Sequence, residues 1–349
     1  MSPGTGPGGA LPRRLFARSL AGLGAAAGLA ATAACAGPAR AAGGGGGKVI
    51  RYQGSVGTVL PLELAAALGY LGDVRLDWIG NSISGPQDIQ ATVTGDTDIG
   101  GAFNGAIIRL IAAGAPITSL YGYYGIDSRI WSGFYVREDS PIRSVKQLAG
   151  RTIGANTIGG QTEDVLKLRL RQAGLPDDAA QLVVVPPVSA EASLRSGQLD
   201  VAVLGGTLRD LALSRGGIRP VFTDYQVLGT FTCGCDVMRD KFVRDHPDTV
   251  RTVVAGTARA VAWSQTQPRE RVIAEFARII AARGRQEDTS QLRFWLGYGI
   301  AERGAVIAER EFTVWRDRLV DEGIVGRHEA PVAQLYTNRF NPYASRGVT

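Results

Sequence analysis

Five short segments of this 349-residue chain combine small residues with side-chain amides and hydroxyls. They are Gln53-Gly54-Ser55, Asn81-Ser82 with Ser84, Ala102-Phe103-Asn104, Thr157-Ile158-Gly159-Gly160-Gln161-Thr162 and Gly205-Gly206-Thr207. Each follows a run with strand character and leads toward one with helical periodicity. In open α/β sheets ligands bind beyond the carboxyl ends of the strands, at helix N-termini. Free N–H groups and the positive end of the helix dipole there suit an anion. The candidate ligand-binding residues are therefore Gln53, Ser55, Asn81, Ser82, Asn104, Thr157, Gly160, Gln161, Thr162 and Thr207. The turn at 156–162 is the strongest of the five. Its glycines allow close backbone approach, and Gln161 and Thr162 add side-chain donors. An ordinary N-cap uses the same residue types with no ligand at all.

Catalytic and metal chemistry find less support. The two histidines, His246 and His328, flank proline-rich or charged turns and offer no base near these segments. Cys233 and Cys235 stand one residue apart, where a disulfide would be strained and would constrain little of the unfolded chain. Two small residues on an extended segment is the simpler account. A structural zinc needs four ligands. No catalytic residue, metal or cofactor is expected. Tyr121, Tyr123, Tyr124, Trp131 and Phe103 could wall the organic part of a ligand. Such aromatics are more often core, so one or two of the five are expected in that role.

The elements that must position these segments read as strand, helix, strand. A strand at 49–53, a helix at 61–71 opened by Pro61 and a strand at 74–79 make one βαβ unit. A helix at 87–94, a helix from Asn104 to about 113, a strand at 117–123 and the segment 131–136 follow. The pattern then repeats: strand 152–155, helix 162–173, strand 182–185, helix 190–196, strand 201–204. A strand at 220–222 and the segment 230–236 return the chain to its first half. After His246-Pro247, Val250, Val253, Val254, Thr257 and Val261 share one helical face, and the remainder to about 323 reads helical.

With 45% hydrophobic and 20% charged residues the composition is that of a globular protein long enough for two domains. The net charge of +6 owes much to Arg13, Arg14, Arg18 and Arg40; without the first 42 residues, 34 basic residues face 32 acidic ones. Nucleic-acid binding is therefore not indicated. Arg13-Arg14 before the apolar run 19–34 reads as an export signal of twin-arginine-like or general secretory type, with Pro12 in place of the usual hydroxyl residue. Cleavage after Ala39-Arg40-Ala41 would release a soluble protein. Thr32-Ala33-Ala34-Cys35 offers instead a lipid anchor at Cys35. Gly43 to Gly47 form a flexible tether, and the spacing of a phosphate loop fails at Ala42.

Asp139-Ser140-Pro141-Ile142, followed by Leu148-Ala149-Gly150-Arg151, resembles a passage of ABC-transporter substrate-binding proteins, in the nitrate, sulfonate and taurine branch (SsuA/TauA-like or NMT1-like). Residues 95–100 and 192–202 resemble two further motifs of that family, and the resemblance runs from about 49 to 325. It implies a two-lobed type II periplasmic-binding-protein fold, each lobe a mostly parallel sheet flanked by helices. Lobe I would hold 48–136 and 233–349 and lobe II 137–232, joined by a two-segment hinge near Val136 and Phe231. It further implies an exported monomer in the periplasm, or on the outer face of the cytoplasmic membrane, that captures a small organic anion. Closure on the ligand would let the protein dock on a membrane permease with its ATPase. An aliphatic sulfonate or taurine is the first ligand class. Nitrate or bicarbonate, a thiamine-pyrimidine precursor, or an aromatic sulfonate or carboxylate are alternatives. Aimed amides and hydroxyls can hold a sulfonate without a counter-charge, although Arg209 or Arg129 could supply one. A desulfinase and a pyrimidine synthase share this fold. The desulfinase's nucleophilic cysteine after the first strand has no counterpart in Gln53-Gly54-Ser55.

Overall fold

The computed structural model describes residues 48–344. The expected leader at 1–42, with Arg13, Arg14 and Cys35, and the glycine tether at 43–47 lie outside the described residues. The first half opens with β1 (Val49–Gly54), α1 (Pro61–Ala67), β2 (Arg75–Asn81), α2 (Gly85–Thr94), β3 (Ile99–Phe103), α3 (Asn104–Ala112) and β4 (Ile117–Ile126). Next come β5 (Gly133–Arg137), β6 (Thr152–Ala155), α4 (Gln161–Gln172), β7 (Gln181–Val184), α5 (Pro187–Arg195), β8 (Val201–Leu204), α6 (Gly206–Ser214), β9 (Ile218–Thr223) and α7 (Asp224–Leu228). The chain closes with β10 (Phe231–Arg239), α8 (Asp240–Asp245), α9 (Pro247–Thr266), α10 (Arg269–Ala282), α11 (Arg310–Asp321) and α12 (Val332–Leu335).

The strands form three sheets, ordered β1-β2, β3-β10-β4 and β7-β6-β8-β5-β9. Parallel pairing holds for β1 with β2 and for β6 with β7 and β8. The strands that carry the chain across and back run antiparallel: β10 to β3 and β4, β5 to β8 and β9. Against the expectation of mostly parallel sheets, the two-stranded sheet is parallel, the three-stranded one antiparallel and the five-stranded one mixed. The segment 131–136, expected in the first half, instead supplies β5 to the five-stranded sheet, where Val136 faces Arg219. The reason is register: β4 continues to Ile126, and by Gly133 the chain already pairs with Leu204 and Thr223. The chain therefore crosses at 127–132, not at Val136, and returns through α7 just before Phe231.

Alternation along β5 explains how one sheet serves two cores. Phe134 and Val136 pack into the largest cluster, with Phe103 and Ile107 from the β3–α3 corner, Val165 and Leu166 of α4, and Phe312 and Trp315 of α11. Tyr135 points to the opposite face, against Leu194, Leu199 and Ala212. A third cluster seats α1, α9 and α10 on β1, and the predicted stripe Val250, Val253, Val254, Thr257 and Val261 is buried there or beside it. The helical reading beyond α10 fails over 283–309, which holds only short 3-10 turns. Gly297 and Gly299 take positive φ there (149° and 70°), and Gly125 donates its N–H to the Tyr298 carbonyl at 2.8 Å. That contact ties the irregular segment to β4.

Candidate functional site

Three cavities meet at Tyr123, which lines all of them. The first, about 300 Å³, is bounded by Asn156, Thr157, Gly160, Gln161 and Thr162 on one side and by Gly85, Pro86 and Phe103 on the other. The second, about 400 Å³, is walled by Leu60, Ile130, Trp131, Phe276, Leu292, Trp295 and Tyr298, with Gly205, Gly206 and Thr207 at its edge. The third, about 330 Å³, holds Gln53, Gly54, Ser55, Ser82, Ser84 and Asp88. The first two share Tyr123, Tyr124, Ser132, Gln161 and Asp224, so a polar chamber opens directly into an aromatic one. Together they form one cleft between the β3–β10–β4 sheet and the five-stranded sheet.

The polar chamber is built on the start of α4. Gly160 stands at its N-cap with extended backbone (φ −101°) and offers no side chain, so no side-chain oxygen caps the first amides. Gln161 and Thr162 are therefore not serving as the N-cap, the role that competed with ligand binding. Gln161 Nε2 donates instead to Asp224 Oδ2 at 3.1 Å, across to the first residue of α7. Asp224 Oδ1 accepts the Ser132 N–H at 2.9 Å. Burial pushes this carboxyl up to about 7, against the pull of the Ser132 and Tyr225 N–H groups. Asp88, beyond Tyr123, accepts the Gly101 N–H at 2.7 Å and is pushed by burial to about 7 as well. Among the described residues no Lys, Arg or His lines these three cavities.

Eight of the ten predicted residues line this cleft: Thr157, Gly160, Gln161 and Thr162 in the polar chamber, Thr207 in the aromatic one, and Gln53, Ser55 and Ser82 in the third. The other two do not. Asn104 is fully buried, and its amide donates to the carbonyls of Thr232 and Glu311 at 3.2 and 3.1 Å, fastening the β3–α3 corner to β10 and α11. Asn81 accepts the Trp78 indole N–H at 3.1 Å and lines none of the three cavities, although it pairs with Gly54 at the edge of the third. The arginines offered as counter-charges are also elsewhere. Arg209 is buried, stacks over Trp131 at 4.2 Å, pairs with Asp210 and donates to the carbonyls of Trp131 and Arg129. Arg129 borders a separate cavity near Gln265 and Arg269.

Of the five aromatics, Phe103, Tyr123, Tyr124 and Trp131 line the cleft, more than the one or two expected, while Tyr121 is core. Sequence reasoning missed Ser132, Asp224 and the wall at 292–298. Asp224 had a usable signal: it follows strand β9 at a sixth strand-to-helix turn, Thr223-Asp224, with Thr223 capping Gln226 N–H at 3.1 Å. Cys233 and Cys235 are free and buried on β10, and burial drives both thiols well above their ordinary range. Such thiols are poor nucleophiles.

The NMT1/THI5-like family model matches residues 58–271. A curated Escherichia coli (strain K12) protein named for binding aliphatic sulfonates is 28% identical over 236 residues, covering 66% of this chain and 70% of that one. Among solved structures, the alkanesulfonate-binding protein SsuA of Xanthomonas axonopodis pv. citri, bound to MOPS, superposes with a TM-score of 0.65 at 18% identity, over 83% of this chain and 98% of that one. A desulfurization enzyme superposes with a TM-score of 0.56 at 17% identity, over 84% and 97%. These likenesses fix the fold as that of the periplasmic binding proteins, and they show that binders and an enzyme share it.

Proposed function

The chain belongs to the NMT1/THI5-like family, and we propose that it is the extracytoplasmic solute receptor of an ABC importer that captures a small organic sulfonate. The observation that carries the reading is the uncapped first turn of α4, facing a chamber continuous with an aromatic compartment. Free amides at a helix start suit a sulfonate head without any cation, and the second chamber suits its organic part. The curated relative is named for aliphatic sulfonates. The MOPS held by the structural relative joins a sulfonate to a ring, a shape that would occupy both chambers. Within this reading the Asp224 carboxyl, at the junction of the chambers, favours a sulfonate that also carries an N–H donor, as taurine does.

Lobe I would comprise the β1–β2 and β3–β10–β4 sheets with their helices, and lobe II the five-stranded sheet. Closure about 127–132 and α7 would present the loaded form to a permease with its ATPase. Export by the leader places the protein in the periplasm or at the outer face of the cytoplasmic membrane. A binding role rather than an enzymatic one accords with Gln53-Gly54-Ser55 at the cleft and with two buried thiols that line none of the three cavities.

A thermal-shift screen of the chain from residue 42 onward tests the reading. The panel holds taurine, short and aromatic sulfonates, nitrate, bicarbonate, a formylaminopyrimidine and aromatic carboxylates. A sulfonate at a hundred times its dissociation constant should stabilise the fold by about 2.7 kcal/mol. The double variant Gln161→Ala/Thr162→Ala should fold and lose that gain. Stabilisation by nitrate or the pyrimidine but by no sulfonate would overturn the ligand class.

A further inference from the structure

Beside the turn at 156–162 lies a groove of about 280 Å³ lined by Pro86, Ile89, Ala106, Leu110, Ile158 and Gly159 and crossed by Arg109. Arg109 rises from α3 and divides its guanidinium between two partners. Nη1 donates to the Gly159 carbonyl at 3.1 Å, and Nη2 donates to both carboxylate oxygens of Asp164, at 2.9 and 3.0 Å. Asp164, in the first turn of α4, is 1% exposed. Arg318 of α11 approaches the same carboxylate at 3.9 Å and donates to the Asp164 carbonyl.

The local sequence makes room for this contact. A Cβ on Gly105 would stand 3.0 Å from Asp164 Oδ2 and 2.5 Å from the Phe103 ring, so the start of α3 accepts α4 only because residue 105 is glycine. Gly159 has φ of 74° and is held at both ends, its N–H given to Glu163 Oε2 at 2.7 Å and its carbonyl accepting from Arg109. A planar guanidinium can serve a carboxylate and a carbonyl at once in fixed geometry, which an ammonium on a flexible stem cannot do as well.

We propose that Arg109 is a positioning residue for ligand capture, fixing the turn at 156–162 against the β3–α3 corner by clamping the Gly159 carbonyl and the Asp164 carboxylate. It lines none of the three cleft cavities, so it acts through Gly159, Gly160 and the start of α4. The proposal rests on the reading that this turn holds the ligand head. Without the clamp the turn samples displaced positions, and only the fraction in place binds.

The test begins without ligand. Amide hydrogen exchange is followed in the parent chain, Arg109→Met and Arg109→Lys. Arg109→Met should raise exchange at least tenfold at the Gly159 and Asp164 amides, whose N–H groups are bonded to Glu163 and to the Gly160 carbonyl, while β6 and the amides of α3 keep their protection. Arg109→Lys, which retains a charge for Asp164, should fall between. Butanesulfonate titrations should then show a dissociation constant raised about tenfold in Arg109→Met, with partial rescue in Arg109→Lys. Unchanged exchange at the Gly159 and Asp164 amides overturns the proposal. So does equal loosening of α3, β3 and α4 in both variants, which marks a general packing role. If Arg109→Met does not fold, Arg109→Lys decides: a local rise at the Gly159 and Asp164 amides supports the clamp and no rise refutes it. If the parent chain binds no sulfonate, the ligand reading falls and the exchange result still decides the clamp.

Discussion

Asp224→Asn removes the one carboxyl that borders both the polar and the aromatic chamber. The substitution is mild. An Asn keeps an oxygen for the Ser132 N–H, and the Gln161 amide, now 3.1 Å from Asp224 Oδ2, can turn its own oxygen toward the new donor. What changes is charge. A sulfonate head on the first turn of α4, beside Gln161, is taken at about 6 Å from the Asp224 carboxylate, the outer end of the range over which one charge shifts another's pKa. At an effective dielectric of about 20 the two like charges repel by about 2.8 kcal/mol, equivalent to about two pKa units.

The sign follows from the unliganded value. Burial holds the Asp224 carboxyl at about 7 in the empty protein. An alkanesulfonate should therefore bind best to the protonated form below pH 7 and push that carboxyl higher still. Its affinity should be flat below about pH 6, fall as pH rises through 7, and level off about a hundredfold weaker above 9. Asp224→Asn should hold the low-pH affinity throughout. Taurine should behave differently, because its ammonium gains from an ionised Asp224: its affinity should hold or rise through pH 7, and Asp224→Asn should weaken it at pH 8. Calorimetric titration of ethanesulfonate and taurine at pH 6, 7, 8 and 9, in buffers of different ionisation enthalpy, reads both the affinity and the proton taken up. A flat ethanesulfonate profile in the parent protein, or the same slope in Asp224→Asn, refutes the reasoning.

Two further predictions concern the irregular wall at 292–299. Trp295 packs edge-on against Phe276 and Tyr298, with centroids 5.0 and 5.8 Å away, and lines the aromatic chamber. Trp295→Ala should strip about 60 Å² of apolar cover from a ring-bearing sulfonate, roughly 1.5 kcal/mol or about tenfold in affinity, and leave ethanesulfonate almost unaffected; equal losses for both ligands in calorimetry would place the ring elsewhere. Gly299 has φ of 70°, and a Cβ there would lie 2.1 Å from the Gly125 carbonyl oxygen. Gly299→Ala should destabilise the protein by roughly 2–5 kcal/mol, from left-handed strain plus overpacking, and a denaturation midpoint equal to that of the parent would contradict the close approach.

The order of elements was legible because it is local. Hydrophobic period and glycine or proline punctuation locate β6, α4, β8 and the buried stripe of α9 within a residue or two. Pairing direction was not legible in the same way. Nothing in Gly133 to Arg137 distinguishes a strand that ends the first half from one that edges into the five-stranded sheet; the choice depends on partners at Leu204 and Thr223, seventy residues and more away. The segment at 283–309 misled for a related reason. Its apolar residues are real, but Gly297 and Gly299 break the helix so that Trp295 and Tyr298 can face the cleft.

The site divides along the same line. Residues that would bind through backbone position, such as Gly160 and Gln161 at the cavity wall, follow from the strand–glycine–helix pattern alone, because that pattern creates the free amides wherever it occurs. Asn104 carries the same pattern and fails, since its amide is needed by two buried carbonyls that only the folded chain brings near. Asp224 is the converse case. An anion receptor would not be expected to place an acid opposite its anion cradle, so ligand chemistry alone argues against the residue. Its burial removes the objection: a carboxyl held near neutral can keep its proton and donate to a sulfonate, or give it up and receive an ammonium. On the proposed function, the charge that looked wrong for the site is therefore the feature that would let one cleft separate a plain sulfonate from an amino-sulfonate.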